Sequence, residues 1–352
     1  MSKQTLGYWN GSELGDRVLV GHVERDGHPW WYRAELQGPE GNLYDGPIPV
    51  ADVMRRLFHW QPLSTPIYAA IPADMADAEA IGPDGRPVRY VIAADRQAIV
   101  ASDTSEVLGI FKSGYVAHPY SEWLLGNIAN LLGGEVAIGS AGFPVRSRAQ
   151  AWVQIRTPER VTTPEGVTFL PHLLAYTSLD GSLATTYKNC ATVAVCDNTF
   201  SASVGEGTKQ VVKIKHTRWS NLRITDAQQV LGLIGEIADS FSAQIRTLCE
   251  WEVTDRQFGA VLDKLVPLDV DSKRGRTMAE NKRDAIQRLY RYDNRAATWC
   301  GSAFGVLQAF DTYERHISTV RGVSRPERIM SATIDGSYDA LDQRVPRTLA
   351  TV

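Results

Sequence analysis

The sequence predicts an α+β protein: an antiparallel β-rich core with a long hairpin and one packed helix, followed by a mostly helical C-terminal half. Three observations carry this reading. Short apolar runs with period two recur between Arg89 and His216; an Asp180-Gly181 pair separates two of them; and apolar residues recur every third or fourth position from residue 225 onward. The chain divides accordingly into an irregular N-terminal segment with one short helix (1–60), a β-rich core (61–224), a helical region packed on the core (225–320) and a C-terminal tail (321–352). The tail has little periodicity and reads as partly loose.

The first sixty residues are rich in Gly, Pro and Trp, and only 49–60, with Val50, Val53, Met54, Leu57 and Phe58, has helical spacing. Strands follow over 90–93, 98–102 and 107–111, the last two joined by an Asp103-Thr104-Ser105-Glu106 turn. A helix is predicted over 121–132, with Ser121 as its cap and Gly133-Gly134 as its end. Ala151, Val153 and Ile155 alternate with polar neighbours, as a half-buried strand requires.

Asp180-Gly181 is read as a tight two-residue turn between hairpin arms 173–178 and 182–188. The apolar run 191–196 and a helix start at Asp197-Asn198-Thr199 come next. A strand over 210–216 places Val212 and Ile214 on one face and Val211, Lys213 and Lys215 on the other. Two capping boxes, Thr225-Asp226-Ala227-Gln228 and Thr254-Asp255-Arg256-Gln257, open the first helices. A polar connection over 269–277 leads to helices over 278–292 and 302–317.

Composition bounds the function. The chain has 352 residues, 43% hydrophobic and 22% charged, which suits a globular fold. No apolar run is long enough to span a bilayer and residues 1–16 lack a signal-peptide layout, so the expected location is the cytoplasm of a host cell. Cys190, Cys196, Cys249 and Cys300 form no CxxC pair and read as buried reduced thiols. The net charge of −3 is uneven: residues 1–206 carry 15 Lys and Arg against 22 Asp and Glu, and residues 207–352 carry 22 against 18.

Motifs for cofactor chemistry are missing from the sequence. Gly205-Glu206-Gly207-Thr208-Lys209 has the wrong spacing for a phosphate loop, and the seven histidines are scattered singly. Asp269 and Asp271 read as a solvated loop, and Cys196 has no nucleophile elbow around it. No catalytic residue, cofactor or metal is assigned.

Two basic clusters stand out. The first holds Lys209, Lys213, Lys215, His216, Arg218, Trp219 and Arg223 with no acidic residue between Gly207 and Thr225. An unbroken basic strand and turn with one aromatic matches a phosphate backbone and a stacked base. The second includes Lys282, Arg283, Arg288 and Arg291, with Tyr290 and Tyr292 interleaved. Such runs are usually solvated helix faces, and a shared binding surface requires the two to converge.

Several phrases together resemble the family catalogued as domain of unknown function number 932: Pro29-Trp30, Trp60-Gln61-Pro62-Leu63, Asp103-Thr104 with Leu108-Gly109 and Tyr115, and Ser178-Leu179-Asp180-Gly181-Ser182. The phrases Val193-Ala194-Val195-Cys196-Asp197-Asn198-Thr199-Phe200 and Lys213-Ile214-Lys215-His216-Thr217 complete it. The chain departs from the family pattern at Ser302 and Phe304, where Thr and Trp are usual, and at Ala117-His118-Pro119, where an Asn is expected. The resemblance implies a mobile-element origin, phage or plasmid, and supplies no catalytic residues.

The expected function is binding or annealing of single-stranded DNA in recombination or replication, by fold-level analogy with ring-forming annealing proteins. A homo-oligomer is compatible with it, and no membrane association is expected. The rival readings are an anti-defence protein that binds a host factor, with no nucleic-acid or enzymatic activity, and an enzyme using Asp269, Asp271 or Cys196; a host or phage protein is a candidate partner.

Overall fold

A computed structural model describes residues 18–21, 41–44, 46–74, 77–128, 137–143, 148–156, 160–193, 198–201, 211–220, 234–268, 272–321 and 325–352. In chain order the strands are β1 (Val18–Gly21), β2 (Leu43–Tyr44), β3 (Pro62–Pro72), β4 (Ala80–Ile81), β5 (Pro87–Ala101), β6 (Val107–Lys112), β7 (Ala137–Gly142), β8 (Gln150–Arg156), β9 (Val161–Thr162), β10 (Thr168–Ser178), β11 (Thr185–Val193), β12 (Asn198–Ser201) and β13 (Val211–Ile214). The helices are α1 (Val50–Arg56), α2 (Ile234–Glu250), α3 (Asp255–Leu265), α4 (Lys273–Tyr292), α5 (Ala303–Thr312), α6 (Arg325–Asp335) and α7 (Ser337–Leu349). The α+β class is as the sequence predicts.

The main sheet runs β12-β11-β10-β8-β7-β1-β2, with β9 beside β10 and β13 beside β11. Its pairs are antiparallel except β1 with β2. β10 sits in the middle and is buried on both faces, which explains its nearly continuous apolar run. Leu173 and Ala175 join Ala151, Val153 and Ile155 in a first core with α1 and with Trp123, Leu124 and Leu125. Leu174 and Tyr176 point the other way, toward Trp152, Cys190 and Ile334 of α6. Phe169 and Ala191 meet Phe241 and Ile245 of α2 in a third core, where the wholly buried α5 is central. The sheet is therefore a middle layer with helices on both faces: α2 meets the Phe169 face and α6 the Leu174 face.

A second sheet, β3-β5-β4 with β6 on β5, is rooted in the first core through Ile99, Ala101 and Leu108. No described helix is long and apolar enough to cross a membrane.

Several expectations need correction. The segment read as irregular contributes β1 and β2 to the main sheet. β3 was hidden by Pro62, Pro66 and Pro72, which an edge strand tolerates, and β5 is one strand where two short runs were expected. Ser121 opens no α-helix as a cap: Ser121–Gly126 is π-helical, and the turn starts at Tyr120 without a side-chain cap. The helix start at Asn198 and Thr199 is instead β12, because β11 offers its free edge there.

The hairpin exists, but its connection is longer than two residues: Tyr176 pairs with Thr186, and only Gly181, at φ 78°, takes the left-handed region. α4 begins at Lys273, capped by Ser272, inside the expected connection. The loose tail is α6 and α7, and α7 buries Val345 and Leu349 against the helical core. Cys190 is buried, whereas Cys249 is half-buried and Cys300 exposed, because Cys300 lies in the turn before α5. The capping box at Thr254 forms as read; the one at Thr225, and Cys196, Asp269 and Asp271, lie outside the described residues.

Candidate nucleic-acid interface

Among the described residues β13 is an edge strand, paired along one side with β11 through Thr185↔Ile214 and Tyr187↔Val212. Period two decides which side chains face out. Ile214 is fully buried and Val212 packs on the first core, while Lys213 and Lys215 are exposed. Neither lysine forms an ion pair with a described residue, unlike Lys188, which pairs with Asp339, and Lys282, which pairs with Glu314.

The turn after the strand is tightly stitched. Ser220 Oγ donates to the Lys215 carbonyl at 2.8 Å, the Thr217 amide donates to Ser220 Oγ at 3.0 Å, and the Trp219 amide donates to Thr217 Oγ1 at 3.3 Å. At its tip Trp219 is 60% exposed, with the Arg218 guanidinium 5.0 Å from its ring centre.

Below the turn stands a column of five rings: Phe111, Tyr115, His216, His118 and Trp123. Successive centroids are 3.8, 5.0, 4.0 and 3.7 Å apart, with nearly parallel planes. The column joins three elements, since Phe111 is the penultimate residue of β6, Trp123 lies in the π-helical turn and His216 follows β13. A Tyr115↔Thr217 bridge ties the backbones together. Beside it, His118 Nδ1 shares a 2.6 Å hydrogen bond with Thr185 Oγ1, which is 2.6 Å from Thr177 Oγ1, itself 3.1 Å from His216 Nε2. Gln97 Nε2 donates to the Tyr115 carbonyl at 2.7 Å.

Burial lowers the pKa of His118 to about 3 and that of His216 to about 4. Both rings are therefore neutral at pH 7. Their chemistry is to anchor the turn by stacking and hydrogen bonding.

The structure thus divides the residues singled out from sequence. Lys213, Lys215, Arg218 and Trp219 come together on one exposed strand and turn. His216, expected among them, is a buried column member and faces away from solvent. Lys209 and Arg223 lie outside the described residues.

The second cluster is largely engaged inside the protein. Lys282 pairs with Glu314, Arg283 with Asp263, and Arg291 with Asp255 at 2.9 Å. Arg288 is exposed on α4. α4 is rooted in the helical core by Ile286, Leu289 and Tyr290, whereas β13 is rooted in the first core by Ile214. The ring column was not anticipated, because Phe111, Tyr115, His118 and Trp123, though close in sequence, fit no single strand or helix period, and His216, which sits between Tyr115 and His118, comes from far along the chain.

No group of three or more His, Cys, Asp or Glu among the described residues is arranged to hold a metal ion. In comparisons with known proteins, no curated protein and no solved structure matches the chain. A family model, "Domain of unknown function (DUF932)", matches residues 107–333, from the first residue of β6 into α6, and so takes in the whole ring column and the basic turn. Because the match covers more than half of the 352 residues, the chain belongs to the DUF932 family.

Proposed function

We propose that the chain binds single-stranded DNA along β13 and the turn after it, as a binding or annealing protein of phage or plasmid recombination or replication. One observation carries the reading: a strand whose alternate residues are locked in the core presents Lys213 and Lys215 outward and leads into a braced turn that exposes Arg218 and Trp219. The lysines supply point charges for phosphates. Trp219 supplies a π-face, which any base can stack on without sequence preference. Bracing matters because a platform already held in place loses less side-chain freedom on binding.

The test is fluorescence anisotropy with labelled single-stranded and duplex DNA at low salt. Single-stranded DNA is expected to bind more tightly than duplex. Trp219→Ala is expected to weaken binding by about 1–3 kcal/mol, with the salt dependence nearly unchanged, because stacking releases no counterions. Wild-type affinity unaffected by Trp219→Ala excludes the stacking role.

A further inference from the structure

β3 and β5 form a ribbon that leaves the body of the protein. No residue of β3 is buried, and neither is any residue from Arg89 to Gln97 of β5. Pairing places Tyr68 opposite Ile92 and Ala70 opposite Tyr90 on one face, with Ala69 opposite Val91 and Ile71 opposite Arg89 on the other. Tyr68, Tyr90 and Ile92 are 58%, 48% and 53% exposed. Eight of the fifteen exposed large apolar side chains among the described residues lie on this four-stranded sheet, including Val107 and Ile110 at its base. Among the described residues, the ribbon is where exposed apolar surface is concentrated. A two-stranded ribbon alone in water is at best marginally stable, so this one calls for a cover.

We infer that the cover is a second copy of this chain, its ribbon laid against the first. Charge argues for self-association. The Tyr68, Ala70, Tyr90 and Ile92 face carries no charge, and β3 has no charged residue from Pro62 to Pro72. Such a face meets itself across a two-fold axis without placing like charges together. The net charge of the whole chain, −3, adds little repulsion.

Area sets the strength of the contact. Eleven residues at about 3.3 Å each, in two strands about 4.8 Å apart, give roughly 360 Å² per face, and a two-fold contact covers one face of each ribbon. That is below the roughly 800 Å² per partner of a standard interface, so the association is of the weak, concentration-dependent kind, with Val107 and Ile110 at the base of the contact.

The experiment is sedimentation velocity of the full chain, without nucleic acid, across the micromolar range, so that its result is independent of DNA binding. Wild type is expected to reach the mass of a dimer, or a multiple of it, as concentration rises. Tyr68→Lys with Ile92→Lys is expected to remain monomeric with unchanged far-UV circular dichroism, since both side chains are exposed in the monomer. If that double variant fails to fold, Ile92→Ser is the replacement, with weakened association expected. Wild type that stays monomeric throughout overturns the inference and leaves the ribbon to a different protein. Folded variants that associate as wild type does also overturn it.

Discussion

Arg315, 1% exposed, has its guanidinium 3.8 Å from the Tyr338 ring centre, and the buried carboxyls Asp311 and Asp342 lie in its field. Burial raises the pKa of Asp311 from 3.8 to about 6, against the pull of Arg315. Burial and the charge of Asp311 raise that of Asp342. A raised carboxyl pKa stabilises the fold below about pH 3.8, and that contribution is lost as pH rises through about 6. The histidines act in the opposite direction. Burial lowers His118, His172 and His216 from 6.5 to about 3, 3 and 4, so their contribution is present above pH 6.5 and is lost as pH falls toward those values. Asp311→Asn, which cannot ionise, is expected to gain up to about 3 kcal/mol at pH 8, two pKa units at ~1.4 kcal/mol each. Its stability is expected to fall more steeply than wild type's between pH 6.5 and 4, because the opposing carboxyl is gone. Urea denaturation at several pH values checks both, and an Asp311→Asn variant less stable than wild type at pH 8 contradicts the assignment. None of this was legible in the sequence, where Asp311 and Arg315 are ordinary charged residues four apart on a helix. Ion pairing was hidden for the same reason: Arg283 and Asp263 are joined by a helix contact that no local pattern encodes.

β13 was legible because alternation alone sorts its side chains, and Val212 and Ile214 leave Lys213 and Lys215 no inward option. The Thr254 helix was legible because a capping box is local chemistry. Elements set by distant partners were not. β12 carries a good helix-start spelling, yet its backbone pairs with β11, and β3 is an edge strand interrupted by proline. The Asp180-Gly181 connection was half legible. Gly181 does need positive φ, but the Asp180 carboxylate accepts from the Ser182 amide at 2.8 Å and organises a wider loop. A Cβ on Gly181 meets Phe111 at 2.7 Å, at the end of the ring column. Gly181→Val is therefore expected to cost at least about 1–2 kcal/mol from backbone handedness alone. The push on Phe111 should also weaken DNA binding in the folded fraction. A thermal midpoint equal to wild type's contradicts this account of the loop.

At the scale of the whole molecule, the sequence separates a strand-rich first part from a helix-rich second, and the structure stacks them through a sheet buried on both faces. That stacking was only partly legible: the run of apolar residues in β10 indicates double burial, but nothing local says that α2 lies against its Phe169 face and α6 against its Leu174 face. The stacking gives the candidate interface its rigidity, since the column beneath the turn joins β6, the π-helical turn and β13. The proposed function rests on the charge of that turn. The most direct test is the salt dependence of single-stranded DNA affinity for wild type and for a Lys213→Ala, Lys215→Ala, Arg218→Ala variant. Each phosphate contact contributes about 0.7 to the slope of log affinity against log salt, so the variant should bind more weakly with a slope shallower by about two. An unchanged slope, or wild type without measurable affinity at low salt, contradicts the account.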